Sequence, residues 1–71
     1  MPKLRSFKGK EIIKLLTQHQ FQAIRQEGSH VRLKHPDGRA TTVPVHGSET
    51  IGRGLLRKII RDTQLPQNLF R

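Results

Sequence analysis

The chain has 71 residues and no cysteine, which bounds it to one domain and excludes disulfides and thiolate metal centres. Fourteen Lys and Arg against five Asp and Glu give a formal charge of +9. That excess favours polyanionic partners: nucleic acid first, with an acidic protein or a membrane surface as the other readings.

Residues 1–8 are basic and are expected to fray. From Lys10 to Phe21 the apolar positions Ile12, Ile13, Leu15 and Leu16 mark one face of a helix that should end near His19 or Gln20. Glu11 sits in its first turn, where negative charge suits the helix dipole. Phe21–Gln26 reads as a strand, although Phe21 and Ile24 have opposite parity and cannot both face a core in a regular strand. Glu27-Gly28 signals a turn. His30–Lys34 alternates polar and apolar, as a half-buried strand does. His35-Pro36-Asp37-Gly38 is a turn in which Pro presets φ, Asp bonds back to the backbone and Gly closes it. Ala40–Val45 is the third strand, with Pro44 at an open edge or a bulge.

A turn centred on Asp37, with Gly38 as a bulge, sets Val31 opposite Val43, Leu33 opposite Thr41 and Ser29 opposite Val45. The apolar residues then share one sheet face. The other face carries His30, Arg32, Lys34, Thr42, Pro44 and His46. Residues 46–50 form a polar loop. Leu55, Leu56, Ile59 and Ile60 recur at helical spacing among Arg53, Arg57, Lys58 and Arg61. Gln64–Gln67 breaks that helix, and the tail 68–71 either adds a turn or dangles. The expected fold is α+β in the order α-β-β-β-α, a three-stranded antiparallel sheet with two helices on one face. One domain spans 1–71, with its core at about 8–65 and flexible ends. No apolar run approaches the roughly 18 residues that would cross a bilayer, and no secretory signal opens the chain. A soluble, cytoplasmic protein is expected.

The open face holds the candidate chemistry. His30 starts a strand directly after a tight turn, where an exposed imidazole can move a proton near neutral pH. Gly28 leaves backbone N–H groups uncovered for an anion. Ser29 can orient a phosphate or the imidazole. Arg25 and Arg32 can hold a phosphate, with Lys34 as a further cation. These parts suit phosphodiester cleavage by a neighbouring 2′-hydroxyl. On spacing alone the plainer reading, a turn followed by a surface histidine, is favoured. His46 falls on the same face, about one diagonal away from His30. It is either a second acid–base group or a residue that shapes the loop. His19 and His35 read as structural. The four histidines lack compact ligand spacing, so no metal site is expected, and no cofactor motif is present. With no Trp or Tyr, a base-stacking platform is poorly supported.

Several blocks in order carry a family resemblance. They are Lys10–Leu16, Phe21, Arg25–His30, His35–Arg39, Val43–Gly47 and Leu55–Arg61. Over about residues 8–65 the chain resembles the HicA toxin family (YcfA-like proteins). The resemblance implies a double-stranded-RNA-binding-like fold and a ribosome-independent ribonuclease that cleaves mRNA. It implies His30 as the catalytic histidine, since the family's follows a Gly-Ser or Gly-Thr pair. It also implies a HicB-type antitoxin covering the site. The sequence departs from the family at Lys8, where Ser or Thr often precedes the first helix. It departs again at Gly54-Leu55, where Gly-Thr often opens the last helix and supplies a capping hydroxyl. The loop 47–53 lacks the usual Lys-Pro-Gly. Two other functions stay open: a non-catalytic RNA-binding module using the same face, and an interaction protein that docks an acidic partner.

Overall fold

Helix α1, Gly9–Gln18, forms where Ile12 and Leu16 can be buried four residues apart, with Ile13 and Leu15 half-buried beside them. Lys8 at its N-cap has no side-chain acceptor. Glu11 supplies the reciprocal half of a capping box instead, accepting the Lys8 backbone N–H at 2.8 Å and pairing with Arg5 at 2.8 Å. The helix stops at His19. Gln20 turns into the left-handed region at φ 71°, and the Phe21 N–H returns to the Leu16 carbonyl at 3.0 Å. These contacts come from a computed structural model that describes residues 5–71.

Strands β1 (Gln22–Glu27), β2 (His30–Lys34) and β3 (Ala40–Pro44) form an antiparallel sheet in the order β1-β2-β3. The predicted β2–β3 register holds: Val31 pairs with Val43 and Leu33 with Thr41. Beyond the ladder the Val45 N–H donates to the Ser29 carbonyl at 2.6 Å, so that pair is also in place. Gly38, at φ 102°, closes the turn, and its N–H bonds the His35 carbonyl.

β1 resolves the conflict between Phe21 and Ile24 with a β-bulge. Gln22 and Ala23 face Lys34 and Leu33. The register then slips, and Arg25, Gln26 and Glu27 face Arg32, Val31 and His30. Ile24 is left without a partner and is 53% exposed, while Phe21, just before the strand, is buried in the core. Because partners across a ladder share a face, the extra residue turns Arg25 and Glu27 to the side of His30.

Both helices cover the other side. α1 lies against β3 and β1, and α2, Arg53–Thr63, lies against β3. Leu56, Ile59 and Thr63 form the buried face of α2. The helix opens one residue before Gly54, with Gly52 as an N-cap that offers no side chain, so the capping hydroxyl is indeed missing. Its C-terminal end is tied to the 35–39 turn. Arg39 donates to the Thr63 carbonyl and pairs with Asp37 at 2.8 Å, while Asp62 accepts from Thr41 at 3.1 Å and from Lys58 at 2.8 Å.

The core reaches past the expected limits of 8–65. A 3-10 turn, Gln67–Phe70, buries Phe70 completely against the edge of Phe7, with ring centroids 6.0 Å apart. The Arg5 N–H bonds the Phe70 carbonyl, and the Ile51 N–H bonds the Phe7 carbonyl. Of the stretch expected to fray, residues 5–8 are therefore held in place, and 1–4 lie outside the described residues. At the tail, the added turn is the alternative that forms.

Two tests follow from this packing. A Cβ on buried Gly9 would collide with the Pro44 carbonyl oxygen. Gly9→Ala should cost about 1–3 kcal/mol in urea denaturation, although Ala is the better helix former. An unchanged midpoint would show that α1 does not sit so close to β3. The second test is acid stability. The Arg39 backbone N–H holds the Asp37 carboxyl below the ordinary carboxylate range, and the Lys58 hydrogen bond does the same for Asp62. Groups depressed in the folded state stabilise it above their unfolded value and lose that contribution as pH falls through the folded value. The melting temperature should therefore drop below about pH 4, and less steeply in Asp62→Asn. An identical acid limb in that variant would remove Asp62 as a cause.

Candidate active site on the open sheet face

The connection from β1 to β2 is only Gly28-Ser29. Gly28 takes φ 56°, which a two-residue hairpin demands at its first position. The Gln26 side chain donates to the Gly28 carbonyl at 3.1 Å and braces the turn. This puts His30 at the first position of β2, exposed, between Glu27 on β1 and Pro44 on β3.

Beside it lies a shallow cleft of about 110 Å³ lined by Arg25, Glu27, His30, Arg32 and Thr42. Arg25 and Arg32 stand directly opposite each other, an arrangement of like charges that weakens a sheet unless an anion lies between them. Glu27 partly supplies that anion, pairing with Arg25 at 3.0 Å, and Arg32 is steadied by the Thr42 hydroxyl at 3.3 Å. Both members of the Arg25–Glu27 pair are about two-thirds exposed, so water screens it and an incoming phosphate can replace Glu27.

On the other flank of His30 stands His46. The two imidazoles meet edge to face, with centroids 5.9 Å apart and planes at 90°. His46 Nε2 lies 3.4 Å from the Ser29 hydroxyl. Ser29 thus links the turn to the His46 loop through both its hydroxyl and its carbonyl, which accepts from Val45. The structure therefore gathers Gly28, Ser29, Arg25, Arg32 and His46 around His30.

Lys34 is not part of this group. It sits at the far end of β2, roughly 13 Å along the strand from His30, on a separate cleft with Gln22, Ile24, His35 and Pro36. His35 packs its ring on Phe21, centroids 5.1 Å apart, in keeping with a structural role. Glu27 is the site residue the sequence reading missed. It reads as the first half of a turn until the bulge fixes its face, and the parity conflict of Phe21 and Ile24 was the available signal.

Among the described residues no three His, Asp or Glu side chains are grouped as metal ligands, and no helix is long and apolar enough to cross a membrane. A comparison with the curated proteins gives no match. The family model described as the HicA toxin of bacterial toxin–antitoxin systems matches residues 9–65.

The facing arginines give a direct test. Arg25→Gln or Arg32→Gln should each lower affinity for single-stranded RNA and reduce the slope of log K against log salt by about 0.7. Lys34→Gln should leave the cleft itself unaltered, so that phosphate-induced NMR shifts at His30 persist. Shifts that also persist in Arg25→Gln would show that the cleft does not hold the anion.

Proposed function

The chain belongs to the HicA toxin family of bacterial toxin–antitoxin systems, and from that premise we propose that it is a metal-independent endoribonuclease that cleaves mRNA in the cytoplasm. The observation that carries this reading is the placement of His30 between an arginine-lined cleft and a second imidazole.

In the proposed reaction the scissile phosphate enters the cleft and its non-bridging oxygens bond to Arg25 and Arg32. Charge building on those oxygens in the transition state is then met by fixed guanidinium donors. His30, as general base, takes the proton of the adjacent 2′-hydroxyl. The 2′-oxygen forms a bond to phosphorus while the bond from phosphorus to the 5′-oxygen breaks. His46, as general acid, gives its proton to the departing 5′-oxygen. The products are a 2′,3′-cyclic phosphate and a free 5′-hydroxyl. Ser29 holds the His46 ring through its hydroxyl, and Gly28 leaves the turn backbone accessible.

The antitoxin in this proposal is of the HicB type and covers the open face, where its acidic groups would meet the uncovered cations. The site is exposed rather than enclosed, an observation that also suits the second reading, a non-catalytic RNA-binding module on the same face.

One assay separates the two readings. Purified chain incubated with long RNA in EDTA should cleave it, and His30→Ala should be slower by about 10² to 10⁴ with an unchanged melting temperature. His46→Ala should keep RNA affinity and lose one limb of the rate–pH profile. Equal cleavage by wild type and His30→Ala would sink the catalytic assignment. Binding without product would leave the module, and cleavage abolished by EDTA would point to a metal.

A further inference from the structure

The arginines of α2 take no part in the cleft at His30. Arg53, Arg57 and Arg61 recur every fourth residue and all three are exposed. They form a stripe along one side of the helix in steps of about 6 Å. Among the described residues none of the three makes an ion pair. Asp62, the acid of this helix, is engaged by Lys58 and Thr41 instead.

The stripe opposes the helix at its start, while Arg61 in the last turn suits the dipole. Like charges four residues apart repel. Arg53 stands at the positive end of the helix dipole, and no acidic residue occupies the first turn. Local departures of this kind, held in place by packing elsewhere, are characteristic of functional surfaces. Arg57 and Arg61 also border a groove of about 240 Å³ completed by Ile60 and Gln67.

The position of the stripe gives it a direction. α2 begins in the chain that follows His46 and ends at the 35–39 turn, where Arg39 bonds the Thr63 carbonyl. It therefore starts at the His30 end of the sheet and runs away from it, on the covered side of β3.

We propose that Arg53, Arg57 and Arg61 form a second nucleic-acid contact, a track for the phosphodiester backbone of the RNA strand leaving the His30 cleft. The proposal deepens the ribonuclease reading and rests on it for the identity of the polyanion. Guanidinium groups bind phosphate oxygens through paired N–H donors, and evenly stepped cations match the regular charge of a single strand. A protein partner would call for an apolar centre with a polar rim, and this stripe has no exposed large apolar residue.

The test uses the full chain and a long single-stranded 2′-O-methyl RNA. That RNA lacks the attacking hydroxyl, so binding is read whether or not the chain is a nuclease. The triple variant Arg53→Gln, Arg57→Gln, Arg61→Gln should bind at least tenfold more weakly at low salt, with a slope of log K against log salt shallower by about 2. Its melting temperature should stay close to wild type, because relieving the repulsion along α2 is offset by losing Arg61 at the C-terminal end of the dipole. A charge-matched control, Lys10→Gln, Lys14→Gln, Arg71→Gln, should change the slope by less. An unchanged slope in the triple variant overturns the proposal, as does an equal change in the control or loss of antitoxin binding alone. Cleavage of the corresponding unmodified RNA is followed alongside in the wild type and the triple variant. If neither protein cleaves, the nuclease reading fails while the binding result still decides the track.

Discussion

The buried apolar side chains cover one side of a three-stranded sheet, and that one-sidedness organises the molecule. Val31, Leu33 and Val43 turn inward, and Ile12, Leu16, Leu56 and Ile59 from two helices close over them. Burying these side chains is the main source of stability in a protein of this size. The reverse side of the same strands is left to water. In β2 the alternation that buries Val31 and Leu33 necessarily presents His30, Arg32 and Lys34. The candidate site is thus the complement of the core, written into the same five residues.

Strand β1 shows how one unpaired residue serves both sides. Without the bulge at Ile24, the pairing of Gln22 and Ala23 would continue and Arg25 would fall opposite Val31, on the covered face. With it, Phe21 stays in the core and Arg25 and Glu27 join His30. Ile24, the residue that permits this, is the exposed large hydrophobic of the sheet. Gly9 plays a comparable part at the other edge. Lacking a side chain, it lets α1 reach Pro44 and Val45, directly before His46.

Most of this order was legible in the residues themselves. Helical spacing located α1 and α2, and the chemistry of Pro36, Asp37 and Gly38 fixed the β2–β3 register to the residue. That register alone sets His30 and His46 on one face. What was not legible depends on distant partners. Parity points to a bulge but does not position it, so the face of Glu27 is hidden in the sequence, and a shared face alone does not reveal that strand length separates Lys34 from His30. Phe7 stands alone among polar residues and Phe70 has only Leu69 beside it, and no local pattern pairs two aromatics so far apart. At the start of α1 the Glu11 carboxylate accepts the Lys8 backbone N–H and pairs with Arg5, a contact outside the helix that no local pattern announces.

The contact between Phe7 and Phe70 also bears on how the molecule comes into being. It joins positions far apart along the chain, and the Arg5 N–H to Phe70 carbonyl bond closes the same loop. A closure of that span forms late, after the local helices and the tight hairpins. On the ribosome, chains emerge from the N-terminus onward, so Phe7 must wait for more than sixty further residues before its ring partner is made. A nascent chain therefore carries an unfinished core, with the interior completed only once residue 70 has cleared the exit tunnel.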